Sequence, residues 1–259
     1  MRKINELLTG ETHDFAHKHY ADKKTVFGEL FFDHAMHVTT QAEQIAIKLY
    51  GDIRADYFAE STKDNIAAVV HCAMLHDILN VSACAFEHVA EATNVQIAAM
   101  VADISRDYRL IETKRDTEFR GRVSQSPLGA QIVVVADAIC TTRTMLRCFA
   151  ESGLSIVPRL KKTIAQLDGD LLSVQGANKY YVLRLYCHAA KNLLVEINQK
   201  IKEQKHKAKI AKYVAQQTKT LRERVAAENA KQAQPVRKKR SKNPSSKKEV
   251  KYAGKQKRS

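Results

Sequence analysis

The feature that most constrains the fold is a long internal stretch, Asp52 to Arg120, that contains neither Gly nor Pro. These two residues are the strongest local breakers of regular structure. Their absence over so much of the chain predicts helices joined by polar connections. The fold class we expect is all-α, a helical bundle.

Apolar side chains recur at helical spacing in several segments, and each segment predicts a helix. We expect a helix over His34–Tyr50 that ends at Gly51, and a buried helix over Ile66–Leu79 that includes the doublet His76-Asp77. An amphipathic pattern over Val89–Ile104 predicts a third helix.

The segment Leu128–Leu146 has two possible structures. Its β-branched cluster Ile132–Val135 could form a short buried strand, but no turn residue follows before Cys148, so we favour a helix. Ser126-Pro127 is a typical helix start, with Ser as the cap and Pro in the first turn.

The C-terminal part of the chain is expected to be helical and then disordered. We predict a shorter helix over Leu154–Leu172, broken at Asp168-Gly169, and a long one from Asn178 to about Ala233. The first half of the long helix is apolar enough to pack, whereas the second half is rich in Lys, Gln and Ala. The predicted boundaries are a helical domain over 1–202, a polar helical extension over 203–234 and a disordered basic tail over 235–259.

The positive charge is concentrated in that tail. Of the net charge of +15, Lys231 to Ser259 contribute +11, from 12 basic residues and one acid. Such a tail could bind nucleic acid through phosphates without sequence preference, serve as a nuclear localisation patch, or simply aid solubility. Few aromatic residues are interleaved with the basic ones, so we expect any nucleic-acid binding to be sensitive to salt.

Composition and patterning exclude several other classes. The chain is 44% hydrophobic, enough for a core, and its five cysteines include no C-x-x-C pair, which argues against a zinc ribbon or a disulfide framework. The longest apolar run, Ile66–Leu75, is too short to span a bilayer, and the N-terminus does not have the pattern of a signal peptide. We therefore expect a cytoplasmic protein with no membrane partner.

Two histidines and two acids in apolar surroundings are the candidate functional residues. The adjacent pair His76-Asp77 follows the most apolar segment of the chain, and Asp137 follows another; unpaired charges are costly in such places. Together with His34 from an earlier helix, they could form a divalent-metal site between helices. A metal there would lower the pKa of a bound water.

The order of these residues resembles that of the HD superfamily of metal-dependent phosphohydrolases. The resemblance is closest to the small alarmone hydrolases and the hydrolase domain of RelA/SpoT-type enzymes, and it covers about 190 residues. Four segments carry it: His13–Lys24 (HDFAHKHYADKK), Gly28–Val38 (GELFFDHAMHV), Ala73–Ile78 (AMLHDI) and Ser124–Arg143 (SQSPLGAQIVVVADAICTTR). The stretch Tyr50–Asp64 resembles an insertion relative to that family.

The resemblance implies an all-helical HD-type domain, a Mn²⁺ ion or another divalent transition metal, and removal of pyrophosphate from the 3′ position of ppGpp or pppGpp. The implied metal ligands are His34, His76, Asp77 and Asp137. Lys23 and Lys24 fall where the family contacts the guanine nucleotide, and Arg143 falls on the ribose-phosphate side. Lys114 and Arg115 fall where further basic residues contact phosphates.

The chain departs from the family at positions that bear on catalysis. The Glu-Asp pair that serves the family as general base is replaced by Asn80-Val81, and Thr141 stands where the family has a substrate-contacting Asn. Asp77 and Asn80 remain as candidates to hold the attacking water, but Asn cannot accept its proton. A phosphohydrolase and a catalytically weakened relative that binds a nucleotide or nucleic acid therefore both fit. Arg106 and Tyr108 could line the pocket or lie in an exposed loop.

Overall fold

The fold is all-α, as the sequence predicts. The computed structural model describes residues 8–52, 59–177 and 180–232, and these form helices with no strand among them. The elements are α1 Gly10–Tyr20, α2 Phe31–Asp52, α3 Ala59–Leu75, α4 Ile78–Val81, α5 Phe86–Ala92, α6 Val95–Asp103, α7 Glu112–Gln125, α8 Leu128–Ser152, a 3₁₀ turn Gly153–Ile156, α9 Val157–Ala177 and α10 Tyr181–Gln232.

Three mutually packed helices, α2, α3 and α8, form the centre of the bundle. Ile45 on α2, Leu75 on α3 and Ile132 on α8 are fully buried within it. The segment Ile132–Val135 lies inside α8, which confirms the helix and excludes the short strand. The helix starts differently from the prediction, because Pro127 is its N-cap and Ser126 instead ends α7, where its hydroxyl donates to the Val123 carbonyl.

The doublet His76-Asp77 does not lie within a helix, which corrects the prediction over Ile66–Leu79. Helix α3 ends at Leu75 and α4 begins at Ile78, so the doublet forms the turn between them. Two side chains bind the last carbonyls of α3. His76 Nδ1 donates to the Ala73 oxygen at 2.8 Å, and the buried Tyr20 hydroxyl donates to the Met74 oxygen at 3.1 Å. These are the acceptors that a continuing helix would use.

Other helix ends also differ from the predictions. The amphipathic segment Val89–Ile104 is divided between α5 and α6, because the Asn94 side chain accepts the Ile97 amide and starts a new helix. Helix α2 passes through Gly51 to Asp52, and α9 passes through Asp168-Gly169 without a break. At Gly169 the missing side chain makes room for the Arg120 guanidinium, whose Nε would lie 2.7 Å from an added Cβ.

The chain divides into two compact units, Met1–Lys207 and Ala208–Ser259. In the first, α10 contributes buried residues as far as Ile201. In the second, the described part is helical to Gln232, and its side chains are exposed from Ala208 to Lys231. The predicted tail, 235–259, and residues 53–58 of the predicted insertion lie outside the described residues. Within the described ranges, no helix is long and apolar enough to cross a membrane.

Candidate metal centre

The packing of α2, α3 and α8 brings the predicted metal ligands together. His34 lies near the start of α2, the doublet lies in the turn after α3, and Asp137 lies midway along α8. One ligand atom from each of His34, His76 and Asp77 lies within 4.8 Å of the others. Asp137 joins the group through His34, because its Oδ1 lies 3.0 Å from His34 Nε2. Both histidines are buried, and both acids are partly exposed.

Both histidines point their Nε2 atoms toward the same place. A carbonyl oxygen can only accept, so His76 Nδ1 must donate to Ala73, and its Nε2 faces Asp77 Oδ2 at 3.3 Å. His34 Nδ1 lies 3.5 Å from Glu29 Oε2, and its Nε2 faces Asp137. Once the Nε2 proton is lost, each imidazole would donate through Nδ1 and offer Nε2, which is the typical arrangement of a metal-binding histidine.

The electrostatics of the cluster reflect close opposite charges. Burial by itself lowers the pKa of His34, but hydrogen bonds to Asp137 and Glu29 outweigh it and raise that pKa to about 10. The contact with His34 in turn lowers the pKa of Glu29 to about 2. Burial opposes ionisation of Asp77, yet the adjacent His76 holds the pKa of this carboxyl well below its usual range. The cluster therefore keeps its carboxylates ionised and ready to meet a cation.

The cluster lies in the wall of a cavity of about 420 Å³, within the usual range for small-molecule sites, roughly 300–1,000 Å³. Apolar side chains, among them Phe27, Phe119 and Leu167, form part of the wall. Arg106 and Tyr108 both line this cavity; the Arg106 side chain is buried and the Tyr108 ring is exposed.

Asn80 and Val81 also line the cavity. The Asn80 amide nitrogen donates to Asp77 Oδ1 at 3.2 Å, so its own oxygen is directed away from that contact and is the group able to accept from a water. Val81 offers no polar atom. At these two positions the cavity therefore has no side chain that could accept a proton.

The structure brings one of the predicted substrate-binding side chains to this cavity and leaves the others elsewhere. Thr141 lines the wall and donates to Asp137 Oδ1 at 3.0 Å. Lys23 is exposed and donates to the His19 carbonyl, and Lys24 faces a separate groove. Arg143 donates to Gln41 in another groove.

The remaining two predicted substrate residues lie on α7. Lys114 is exposed, and the Arg115 guanidinium lies over the Tyr108 ring at 4.7 Å. Neither borders the cavity described above, and their assignment to phosphate contacts stays a prediction, as does that of the other basic residues.

Sequence reasoning missed two features of the site. The first is Glu29, a buried acid that contacts His34; only its place in the segment Gly28–Val38 pointed toward it. The second is an ion-pair network, of which Arg106 and Asp170 line the cavity. Arg106 bonds Asp116 at 2.6 Å and also bonds Asp170, while its guanidinium lies 3.9 Å from the Phe119 ring centre. No spacing in the sequence predicts this network, because its members come from α7, from α9 and from the loop before α7, which carries Arg106.

Comparisons with known proteins support the fold. No family model and no curated protein matches the chain. Among solved structures, the chain matches one described as a metazoan ortholog of SpoT that hydrolyzes ppGpp and plays a role in starvation responses, at a TM-score of 0.50 and 16% identity. The alignment covers 71% of this chain and 94% of that one. The fold that the four segments imply is thus confirmed, and the chain shares the all-helical fold of that protein.

Proposed function

We propose that the protein is a divalent-metal-dependent phosphohydrolase that acts on a phosphorylated nucleotide, with ppGpp and pppGpp as the leading substrates. The observation that carries this proposal is the convergence of His34, His76 and Asp77, with ligand atoms within 4.8 Å of one another, in the wall of a cavity. The likeness in fold to a ppGpp hydrolase supports the choice of substrate.

The residues present fit a divalent transition metal. His76 Nε2 is buried and makes no well-formed hydrogen bond, which is costly for a polar atom, although Asp77 Oδ2 faces it at 3.3 Å. Two imidazole nitrogens and two carboxylates form a donor set that suits Mn²⁺ and related ions. His34, His76, Asp77 and Asp137 would hold the ion, and Mn²⁺ is the one we expect. When bound, it would supply Lewis acidity toward a phosphate group.

The chain's own groups would position the reactants. Asn80 donates to Asp77 and thereby fixes that carboxylate, and Thr141 does the same for Asp137. The Asn80 oxygen can hold a water by accepting from it but cannot take its proton. Hydrolysis at this site therefore proceeds without help from a side-chain base at residues 80 and 81, and we expect it to be slow for the family.

A second candidate function is nucleotide binding with little or no turnover. It is favoured by residues 80 and 81, where no side chain can act as a base. The cations of the cavity wall limit both candidate functions. Arg106 is bonded to Asp116 and Asp170, and Lys162 is bonded to Glu112, so both are already paired with carboxylates. A substrate with several phosphates would have to compete for them.

Other features of the proposal concern the whole protein. We propose a cytoplasmic location and a small nucleotide as the main ligand.

The test is hydrolysis of ppGpp and pppGpp by purified protein supplied with Mn²⁺, with NADPH as an unrelated phosphorylated substrate. We expect pyrophosphate release that is lost on chelation and in Asp77→Ala, but kept in Asp168→Ala, which removes an exposed acid from α9. If none of the three substrates is hydrolysed while Mn²⁺ is still bound, the binding function is favoured instead.

A further inference from the structure

Glu29 occupies a loop whose backbone is closely fixed. The Thr25 amide donates to the Glu29 carbonyl at 2.8 Å, and the Gly28 amide donates to the Thr25 carbonyl at 2.9 Å. Gly28 has a φ of 85°, a conformation that favours glycine. This tight turn holds Glu29 just before α2, the helix that carries His34.

The Glu29 side chain is buried although it belongs to a loop, with only 6% of its surface exposed. One carboxylate oxygen, Oε2, faces inward and lies 2.9 Å from the Thr144 hydroxyl and 3.5 Å from His34 Nδ1. The other, Oε1, faces outward, 3.0 Å from His37 Nδ1 and 3.8 Å from Arg147. An acid so buried and so completely partnered has a defined orientation.

The inner oxygen determines which way the His34 ring faces. With Nδ1 directed at Glu29, the Nε2 atom is turned toward Asp137 and the ligand cluster. A ring rotated about its Cβ–Cγ bond would lose that alignment. His76 is oriented in the same manner by the Ala73 carbonyl, so each histidine of the cluster has its own acceptor at Nδ1.

We propose that Glu29 is a positioning residue that holds His34 with Nε2 directed at the metal, and that it increases metal affinity without touching the ion. The inference rests on the proposed function, because it requires the cluster to bind a cation. Outer groups of this kind typically change metal affinity by about 10- to 100-fold when they are removed.

A purely structural role makes a different prediction. Glu29 also joins the loop to α8 through Thr144, so its loss could simply loosen that contact. In that case the melting temperature would fall, while the affinity of the folded protein for metal would change little. The two roles therefore separate when affinity and stability are measured on the same variants.

The experiment is a calorimetric titration of the full chain with Mn²⁺, for wild type, Glu29→Gln, Glu29→Ala, Asp77→Ala and Asp33→Asn. Asp33→Asn is the matched control, since it removes an exposed acid four residues away. We expect affinity to fall about 10- to 100-fold in Glu29→Ala, to fall less in Glu29→Gln, which keeps an acceptor for Nδ1, and to stay unchanged in the control. In Zn²⁺-loaded protein, the Nδ1 proton of His34 should give a downfield NMR signal in wild type and Glu29→Gln that disappears in Glu29→Ala.

The possible failures are distinguishable. Wild-type affinity in Glu29→Ala, with binding lost in Asp77→Ala, overturns the positioning role and leaves the proposed function intact. The same holds if the Nδ1 signal persists in Glu29→Ala. Absence of metal binding by the wild-type protein overturns both.

Discussion

At the scale of single residues, the partners of the two ring nitrogens of His76 indicate a ligand site. Its Nδ1 donates to the Ala73 carbonyl, whereas its buried Nε2 faces Asp77 Oδ2 at 3.3 Å without a well-formed hydrogen bond. An unsatisfied buried polar group costs about 1–3 kcal/mol, and a metal ion shared with His34 and Asp77 would remove that cost. We read this arrangement as a ligand set rather than as ordinary packing.

Restoring a base beside the doublet is the residue-scale test of catalysis. We expect the double change Asn80→Glu with Val81→Asp to raise hydrolysis about tenfold or more, because general-base help is typically worth about 10²- to 10⁴-fold. The measurement is kcat for ppGpp with Mn²⁺. The matched control, Asn80→Gln with Val81→Asn, adds polarity without a base and should leave kcat near that of wild type. A robust wild-type rate that falls in the Glu-Asp variant would show that the pair is not what limits the enzyme.

Some of the site could be predicted from single residues and some could not. The apolar surroundings of these residues predict a cluster, because charged groups there need a partner, and the structure brings them close together: His34, His76, Asp77 and Asp137. Glu29 could not be found this way. Its burial depends on Thr144, 115 residues further along the chain, and no local pattern records that contact.

At the scale of helices, two glycines test the packing of the bundle. A Cβ added at Gly129, at the start of α8, would lie 2.6 Å from Met100 Cε and 3.1 Å from Val69 Cγ2, whereas Gly121 on α7 has open space around it. We expect overpacking at Gly129→Ala to cancel the gain that alanine brings in a helix, so that the free energy of unfolding stays unchanged or falls by about 1 kcal/mol. Gly121→Ala should raise it by about 0.4–1 kcal/mol. Urea denaturation of both variants measures this, and equal effects of the two would contradict the packing described.

The periodicity of apolar residues predicts which segments are helical, but it does not predict where each helix ends. The apolar spacing of Val89–Ile104 continues across the boundary between α5 and α6, and only the cap that Asn94 provides divides them. The break expected at Asp168-Gly169 is absent, since α9 continues through it, and the glycine leaves room for Arg120 from α7. The cap at Asn94 is a single side-chain contact, and an average over a window of residues does not detect it.

At the scale of the whole molecule, the first compact unit should contain everything the site needs. Its last buried side chain on α10 is Ile201, and the unit ends at Lys207. We therefore expect a chain that ends at Lys207 to keep the melting temperature and the Mn²⁺ affinity of the full protein. Differential scanning calorimetry and metal titration measure both, and a truncated chain that fails to fold would show that the second unit is required.

The basic tail should act separately from the site. Because its charge is concentrated after Lys231, we expect the full chain to bind single-stranded RNA or duplex DNA of any sequence, with affinity that falls steeply as salt is raised. A chain that ends at Gln234 should lose most of this binding and keep its hydrolytic rate. Fluorescence anisotropy between low and physiological salt gives the comparison, and salt-independent binding would argue for a different kind of contact.

The most direct test of the account is to locate the metal. Crystals of the full protein grown with Mn²⁺ should show an anomalous scattering peak at the Mn edge that lies between His34 Nε2, His76 Nε2 and the Asp77 carboxylate. A peak at that position would establish the centre on which the proposed chemistry depends. No peak there at saturating Mn²⁺, or a peak held by other residues, would contradict the central claim.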